Sequence, residues 1–209
     1  MRGGVVYPDL CAVLLAGGRS RRMGFEKALI TVRGKALVQN LAEVVLPLAG
    51  EVVLSANEGD LYQFLKLPIV RDIYPGQGPL AGLHAAMLHS EKNLVFLLAC
   101  DMPNVKERLV RAIVESSSDS DSVVPRTSDG RIHPLCGVYR RSCLELLGQQ
   151  LASGRNRVSD FVCSPALRVR YFDVAEGGFP DADFLNLNDG NDLSRFSLTL
   201  EPCHPNSGG

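Results

Sequence analysis

The 209-residue sequence lacks a dominant charge, a long hydrophobic run and a paired-cysteine motif. Lys and Arg number 22 against 23 Asp and Glu, so no whole-molecule field favours nucleic acid or an anionic membrane surface. The longest strictly apolar runs, residues 10–16 and 94–100, have seven residues each, whereas a membrane-spanning helix needs about 20. We therefore expect neither a nucleic-acid partner nor a membrane partner, and any anion site must be local.

The cysteines and the N-terminus also exclude several classes of protein. The six cysteines form no CxxC and are irregularly spaced, which indicates neither a zinc site nor a disulfide framework. Pro8 and Asp9 interrupt the stretch in which a secretory signal needs continuous apolar residues, so we expect a cytoplasmic location. The chain length predicts one domain over residues 1–200, and residues 201–209 are expected to be a disordered tail.

Short apolar segments alternate with amphipathic segments along the chain. The strand candidates are residues 10–15, 51–55, 69–70, 94–99, 122–124, 136–139 and 168–172. The helix candidates are residues 35–48, 58–65, 79–89, 105–116, 141–151 and 156–163. Because parallel neighbours need a crossover, this alternation predicts a three-layer α/β fold with a mostly parallel central sheet. Such folds bind ligands outside the carboxyl ends of their strands, which makes the residues directly after each strand the site candidates.

A glycine-rich loop follows the first predicted strand. Gly17 and Gly18 allow successive backbone N–H groups to converge on an anion. Four cations lie within the next nine residues: Arg19, Arg21, Arg22 and Lys27. We interpret this loop as a phosphate-binding site, although it matches neither the GxxxxGK[ST] motif nor the GxGxxG motif.

The same loop carries a family resemblance. Residues 15–27, LAGGRSRRMGFEK, closely resemble the signature LAGGxSxRMGxDK of the molybdenum cofactor guanylyltransferase family. The resemblance covers residues 10–196 and continues, in the family's order and spacing, through LSAN at 54–57, RD at 71–72, GPLAG at 78–82, CDMP at 100–103, HP at 133–134 and FLNLN at 184–188. It implies a Rossmann-like nucleotidyltransferase fold. It also implies transfer of the guanylyl group of GTP to the terminal phosphate of molybdopterin, with release of pyrophosphate and formation of the guanine dinucleotide cofactor.

The resemblance implies a GTP site in the N-terminal half of the chain. Its expected residues are Leu15, Ala16, Gly17, Gly18, Arg22, Lys27, Ser55, Asp72 and Asp101. Lys27 and Asp101 are the predicted catalytic residues: Lys27 would stabilise the leaving pyrophosphate, and Asp101 would bind Mg²⁺. A carboxylate at a strand end, close to phosphate oxygens and water, suits Mg²⁺. The attacking phosphate is already anionic at pH 7, so the reaction needs no general base.

Two positions depart from the family pattern. Glu26 stands where the family usually has Asp, which adds one methylene group directly before Lys27. Ser55 stands where many relatives have an asparagine that helps to read guanine. Either Ser55 reaches the base through water, or Asn57 takes part of that role, and the sequence leaves both alternatives open.

The resemblance implies that molybdopterin binds mainly through the C-terminal half. The residues expected to contact it are Gly82, His133, Arg157, Asn186 and Asn188. Arg157 would grip the phosphate, and the two asparagines would orient the substrate or complete the metal environment. A helix N-terminus near Asn188 and an ordinary loop histidine at position 133 are the structural alternatives. Cofactor-inserting proteins and molybdoenzyme apoproteins are the further partners that the resemblance implies.

Three other functions fit parts of the sequence. The nearest is a molybdenum cofactor cytidylyltransferase or another transferase of the same fold, but relatives that use CTP tend to show LAAG where residues 15–18 are LAGG, and they lack the GPLAG form. A nicotinamide oxidoreductase is suggested by GxGxxA at residues 76–81, yet residues 71–75 separate that loop from its strand. A non-catalytic nucleotide-binding carrier of the cofactor would differ from a transferase in releasing no pyrophosphate.

Overall fold

A computed structural model describes residues 6–16, 26–32 and 34–187. The strands are β1 (Tyr7–Leu15), β2 (Thr31–Val32), β3 (Lys35–Ala36), β4 (Ala49–Ser55), β5 (Ile69–Val70), β6 (Leu94–Ala99), β7 (Ser122–Arg126), β8 (Cys136–Arg140) and β9 (Val169–Asp173). The α-helices are α1 (Leu37–Val45), α2 (Pro79–His89), α3 (Glu107–Glu115), α4 (Leu144–Ala152) and α5 (Val158–Val162). Short 3₁₀ helices cover Lys27–Leu29, Gly59–Leu65, Arg141–Cys143 and Asp181–Phe184.

Seven of the nine described strands form one sheet in the order β5-β4-β1-β6-β8-β7-β9. β5, β4, β1 and β6 run parallel to one another, and β7 runs parallel to β9. β8 is antiparallel to both of its neighbours, β6 and β7. The mostly parallel sheet predicted from the alternating segments is therefore confirmed, with β8 as its antiparallel member.

Helices cover both faces of this sheet because the central strands are apolar on both sides. In β1, Leu10, Ala12 and Leu14 belong to one buried cluster, which includes residues of α1 and α3. The intervening Cys11, Val13 and Leu15 belong to a second cluster, which includes residues of α2, α4 and α5. Successive side chains of a strand point to opposite faces, so one strand supplies both cores. The predicted three-layer arrangement is confirmed.

The structure corrects several expected boundaries. The helix expected over residues 35–48 is shorter, because Lys35 and Ala36 instead pair with Val32 and Thr31 in a small antiparallel hairpin that the sequence pattern did not predict. The segment expected as a helix over residues 58–65 is a 3₁₀ helix. The helix predicted over residues 79–89 is confirmed as α2, whereas the boundaries of α3, α4 and α5 differ from expectation by one to three residues. The Arg141–Cys143 turn precedes α4 as a separate 3₁₀ helix.

Candidate active site

The carboxyl ends of the four parallel strands lie side by side along one edge of the sheet. Main-chain hydrogen bonds continue beyond the strand ends: Ala16 N–H donates to the Ser55 carbonyl at 3.0 Å, and Cys100 N–H donates to the Leu15 carbonyl at 3.2 Å. In spatial order β5, β4, β1 and β6, the edge therefore carries Asp72, Ser55, Ala16 and Asp101. With neighbouring strands about 4.8 Å apart, β5 and β6 are separated by about 14 Å. Residues far apart in sequence thus form one continuous row.

Asp101 lies in the turn after β6, the strand at the centre of the sheet. Its Oδ1 atom is buried and has no hydrogen-bond partner among the described residues. Burial raises the pKa of the Asp101 carboxyl group, and the charge of Lys27 opposes that rise. A buried carboxylate oxygen without a donor is costly unless a cation compensates it. Asp101 therefore has the properties expected of a metal ligand that has one oxygen available.

Lys27 begins the 3₁₀ helix that follows the glycine-rich loop. Its Nζ atom donates a hydrogen bond to the carbonyl of Leu187 at 2.6 Å. The N–H of Leu187 in turn donates to the main-chain carbonyl of Asp101 at 2.8 Å. The two predicted catalytic residues are consequently joined through a single residue near the end of the described chain.

Ser55, at the end of β4, is buried against the first turns of α2. A Cβ built on Gly82 would lie 2.5 Å from the Ser55 Oγ atom and 2.7 Å from Leu15 Cδ2, distances that a real side chain does not tolerate. Pro79 at the first position of α2 and Gly78, with a φ of 68°, start this helix directly beside the strand ends. Glycine at position 82 is what allows α2 to approach Ser55 and Leu15 so closely.

Asp72 and Asn57 form a pair at the β5 side of the row. Asn57 Nδ2 donates to Asp72 Oδ2 at 3.3 Å, and the main-chain N–H of Asp72 donates to Asn57 Oδ1 at 3.5 Å. Burial raises the pKa of Asp72, and the hydrogen bond from Asn57 partly offsets that rise. Both ends of the Asn57 amide thus contact Asp72, the residue expected to contact the nucleotide.

Tyr62 lies beneath the two described ends of the glycine-rich loop. Its hydroxyl group donates to the carbonyl of Ala16 at 3.0 Å and lies 3.4 Å from Glu26 Oε2. The side chain is 2% exposed, and burial raises the pKa of the hydroxyl group. Glu26, the departure from the family pattern, is therefore close enough to share the Tyr62 hydroxyl group with Ala16.

His133 reaches the same edge from the segment between β7 and β8. Its ring packs against Phe184 with the ring centroids 4.6 Å apart, and its Nε2 atom lies 3.2 Å from Thr127 Oγ1. Burial is the largest cause that lowers the pKa of His133. Phe184 directly precedes the 185–187 segment, in which Leu187 contacts Lys27 and Asp101. His133 therefore packs at the start of that segment.

The other residues predicted to bind molybdopterin are less closely connected to the row of strand-end residues. Arg157 is exposed directly before α5, and its carbonyl accepts hydrogen bonds from Gln150 and Phe161. Among the described residues, no hydrogen bond or ion pair joins Arg157 to His133 or Asp101. Asn186 is exposed on the segment that precedes Leu187. The predicted residues Gly17, Gly18, Arg22 and Asn188 lie outside the described residues.

Two residues at this edge, Leu187 and Tyr62, are not among the site residues that the sequence predicts. Leu187 stands between two asparagines in the FLNLN segment, and an apolar residue in that position indicates an inward-facing side chain. Tyr62 lies within a predicted helix. Neither the link from Leu187 to both Lys27 and Asp101 nor the contact of Tyr62 with the loop ends has a local sequence signal, because each joins distant parts of the chain.

Two further observations limit the chemistry of the described part of the chain. No group of three or more His, Cys, Asp or Glu side chains within it is arranged to hold a metal ion. None of the helices in the same part of the chain is long and apolar enough to cross a membrane.

The fold is that of a nucleotidyltransferase. The family model of the MobA-like NTP transferase domain matches residues 12–164, and the chain belongs to this family. The match extends from β1 to the end of α5 and includes the strand ends that carry Ser55, Asp72 and Asp101.

Individual relatives agree with this assignment. The chain is 35% identical over 181 residues to a protein of Carboxydothermus hydrogenoformans named "Probable molybdenum cofactor guanylyltransferase", covering 86% of this chain and 91% of the relative. A protein of the same name from Pelotomaculum thermopropionicum is 35% identical over 194 residues, covering 90% and 92% of the two chains. Among solved structures, molybdopterin-guanine dinucleotide biosynthesis protein A from Archaeoglobus fulgidus superposes with a TM-score of 0.75 at 25% identity, covering 89% of this chain and 96% of the other.

Proposed function

We propose that this chain transfers the guanylyl group of GTP to the terminal phosphate of molybdopterin, forming the guanine dinucleotide cofactor and releasing pyrophosphate. The observation that carries the proposal is the continuous row of Asp72, Ser55, Ala16 and Asp101 along the carboxyl edge of the sheet. Its length of about 14 Å suits an extended nucleoside triphosphate. The names of the relatives indicate molybdopterin as the acceptor and guanine as the base that this row would bind.

The reaction is a substitution at the α-phosphorus of GTP. A terminal phosphate oxygen of molybdopterin forms the new P–O bond, and the bond between the α-phosphorus and the bridging oxygen breaks, with its electron pair leaving on pyrophosphate. The nucleophile already carries negative charge at pH 7, so positioning and charge neutralisation are what the protein must supply. We assign Lys27 to the triphosphate, where its ammonium group would stabilise the charge that develops on pyrophosphate.

We assign Asp101 to a Mg²⁺ ion that is bound together with the triphosphate. The buried Oδ1 atom without a partner among the described residues fits this role, as does the absence there of a cluster that would surround a metal entirely with protein ligands. Mg²⁺ usually takes one or two carboxylates plus phosphate oxygens and water. When bound, the ion would draw charge from the phosphate oxygens and orient them for substitution.

The base-recognition part of the proposal rests on the β4–β5 side of the row. Asp72 would contact the nucleotide, and its pair with Asn57 would fix the direction of its carboxylate. Ser55 is buried against Gly82, close to where the base would lie. Because Asn57 already contacts Asp72 through both ends of its amide, we favour Ser55, acting through water, over Asn57 for contact with the base.

We further propose that a single domain over residues 1–200 holds both substrates. The N-terminal half would bind GTP, and Gly82, His133, Arg157, Asn186 and Asn188 would bind molybdopterin. The hydrogen bond from Lys27 Nζ to the carbonyl of Leu187 supports a shared site, because it connects the two halves at the same edge. A cytoplasmic location, transfer to cofactor-inserting proteins and delivery to molybdoenzyme apoproteins remain predictions.

The function is tested by measuring pyrophosphate release with molybdopterin and Mg²⁺ in the presence of GTP, CTP or ATP at equal concentration. We expect release with GTP, dependent on both molybdopterin and Mg²⁺. Equal or faster release with CTP would support a cytidylyltransferase instead. Tight nucleotide binding without pyrophosphate release under any of these conditions would support a non-catalytic carrier.

A further inference from the structure

Leu187 contacts both predicted catalytic residues through its main chain. Its carbonyl oxygen accepts the hydrogen bond from Lys27 Nζ at 2.6 Å, and its N–H donates to the carbonyl of Asp101 at 2.8 Å. A lysine ammonium group has three donors, and one of them is used by Leu187. The remaining donors can bind phosphate oxygens while the side chain stays held in place.

The side chain of Leu187 fixes the position of that main chain. It is 1% exposed and packs in a small apolar cluster with Ile30, Val32 and Leu37, separate from the two large cores on the faces of the sheet. Ile30 directly follows the 3₁₀ helix that Lys27 begins, and its carbonyl accepts a hydrogen bond from the N–H of Leu37 at 2.8 Å. The cluster therefore attaches Leu187 to the same chain segment that presents Lys27.

The neighbours of Leu187 on its N-terminal side face outward. Leu185 is 52% exposed and Asn186 is exposed, whereas Leu187 is buried. Asn186 is among the residues assigned above to molybdopterin. In the 185–187 segment, Asn186 is therefore exposed for the expected contact with molybdopterin. The buried side chain of Leu187 holds the main chain that contacts Lys27, the residue expected to act on the leaving group.

We infer that Leu187 is a positioning residue for the transfer reaction: its buried side chain holds its main chain where it orients the Lys27 ammonium group and the Asp101 turn. This inference rests on the proposed function for the identity of the substrates. The contacts themselves predict that truncating the uncharged Leu187 side chain impairs both nucleotide turnover and metal binding. A displacement of about 1 Å in a reacting group can lower a rate by about a hundredfold.

The test compares Leu187→Ala with Leu147→Ala. Leu147 is a fully buried leucine of α4 in the core on the opposite face of the sheet. Two properties are measured: kcat for pyrophosphate release, and the affinity for Mn²⁺ in the presence of α,β-methylene GTP, an analogue that cannot release pyrophosphate. For Leu187→Ala we expect kcat to fall about tenfold or more and Mn²⁺ binding to weaken severalfold. For Leu147→Ala we expect a similar fall in thermal midpoint with neither of these losses.

A conservative variant separates positioning from general stability. Leu187→Met keeps a side chain of similar volume, so we expect kcat and Mn²⁺ affinity within about threefold of the wild type. Wild-type kcat and Mn²⁺ affinity in a folded Leu187→Ala protein would overturn the inference, as would equal losses in Leu147→Ala. If Leu187→Ala does not fold, Leu187→Val is measured against the same two criteria. Failure of the wild type to use GTP would refute the proposed function, while the Mn²⁺ comparison would still decide the role of Leu187.

Discussion

At the scale of single residues, Lys27 and Asp101 are close enough to influence each other but are not paired. The charge of Lys27 opposes the rise in the pKa of Asp101 that burial causes. Lys27 nevertheless donates to the Leu187 carbonyl, and these two described side chains form no ion pair within 4.0 Å. A direct salt bridge would satisfy both charges before any substrate arrived. Under the proposed function, this separation leaves the ammonium group for phosphate and the carboxylate for a metal.

Lys27→Ala and Asp101→Ala should each lower pyrophosphate release by at least about a hundredfold. Under the proposed function, the first removes a positive charge that would stabilise the phosphate groups, and the second removes the carboxylate that would hold Mg²⁺. Circular dichroism should show an intact fold for both variants. Lys35→Ala is the matched control: Lys35 pairs with Glu43 at an exposed site on the hairpin and α1. Near wild-type rates in both Lys27→Ala and Asp101→Ala would show that the site assignment is wrong.

Gly82→Ala should weaken GTP binding severalfold and destabilise the fold by about 1–3 kcal/mol, the usual cost of overpacking a core. The added methyl group would meet Ser55 Oγ at 2.5 Å and Leu15 Cδ2 at 2.7 Å, so α2 or the strand ends must move. The measurements are GTP affinity by calorimetry and the free energy of unfolding by urea.

Gly148→Ala in α4 is the control for Gly82→Ala. Its new methyl group would lie 3.4 Å from His84 Nε2, which is ordinary van der Waals contact. The substitution should therefore stabilise the helix by about 0.4–1 kcal/mol and leave GTP affinity unchanged. If both alanines had the same effect on GTP binding, the close approach of α2 to Ser55 would not be what the nucleotide site requires.

At the scale of elements, the 3₁₀ helix Gly59–Leu65 connects parts of the site that the chain order separates. It lies between β4 and β5, yet its Tyr62 hydroxyl group contacts Ala16, directly after β1, and Glu26, directly before Lys27. A sequence pattern can indicate a helical segment over these residues from its apolar spacing. It carries no information about which distant carbonyl a tyrosine hydroxyl group will reach.

Tyr62→Phe should raise the dissociation constant of GTP severalfold, because the ends of the glycine-rich loop lose a buried donor. The cost to stability should be about 1–3 kcal/mol, since the Ala16 carbonyl loses its hydrogen bond from the hydroxyl group. Tyr139→Phe is a suitable control, as Tyr139 is also buried and donates to a main-chain carbonyl, that of Pro134, at 2.6 Å.

The two tyrosine variants are compared by GTP calorimetry and by thermal unfolding. We expect both to lose stability and only Tyr62→Phe to lose GTP affinity. An unchanged GTP dissociation constant in Tyr62→Phe, alongside the expected loss of stability, would mean that the hydroxyl group supports the fold without orienting the loop.

At the scale of the whole molecule, the packing of α2 against α4 contains a histidine that makes stability depend on pH. His84 is 7% exposed, its ring contacts Tyr74 with centroids 5.3 Å apart, and its Nδ1 atom is buried with no partner among the described residues. Burial lowers the pKa of His84 from its usual 6.5. Below pH 6.5, His84 binds a proton in the unfolded chain more readily than in the folded chain, because its pKa is lower in the folded chain. The stability that is present above pH 6.5 is therefore lost as the pH falls.

His84→Gln should therefore lose less stability than the wild type between pH 7.5 and pH 5.5. The measurement is the free energy of unfolding by urea at both values, compared as a difference within each protein. His89→Gln serves as the control, because His89 lies on the same helix with 44% of its side chain exposed. If His84→Gln and the wild type lost equal stability over this interval, another group would be responsible for the acid sensitivity.

The sequence alone determined the architecture because strand and helix periodicities are local properties of the chain. Alternating apolar segments predicted the three-layer fold, and they made the residues directly after each strand, Asp72 and Asp101 among them, the site candidates. The family resemblance added the expected chemistry. The comparisons confirm the family and the fold, while the roles of the individual site residues stay predictions.

Only the tertiary structure decided how the site residues are held. The antiparallel direction of β8, the hairpin of β2 and β3, the approach of Gly82 to Ser55 and the two hydrogen bonds of Leu187 all depend on contacts between distant segments. Such contacts follow from the packing of all layers together, and no local pattern of residue types encodes them. For this reason the sequence indicates which charges act at the strand ends, whereas the fold decides which uncharged residues orient them.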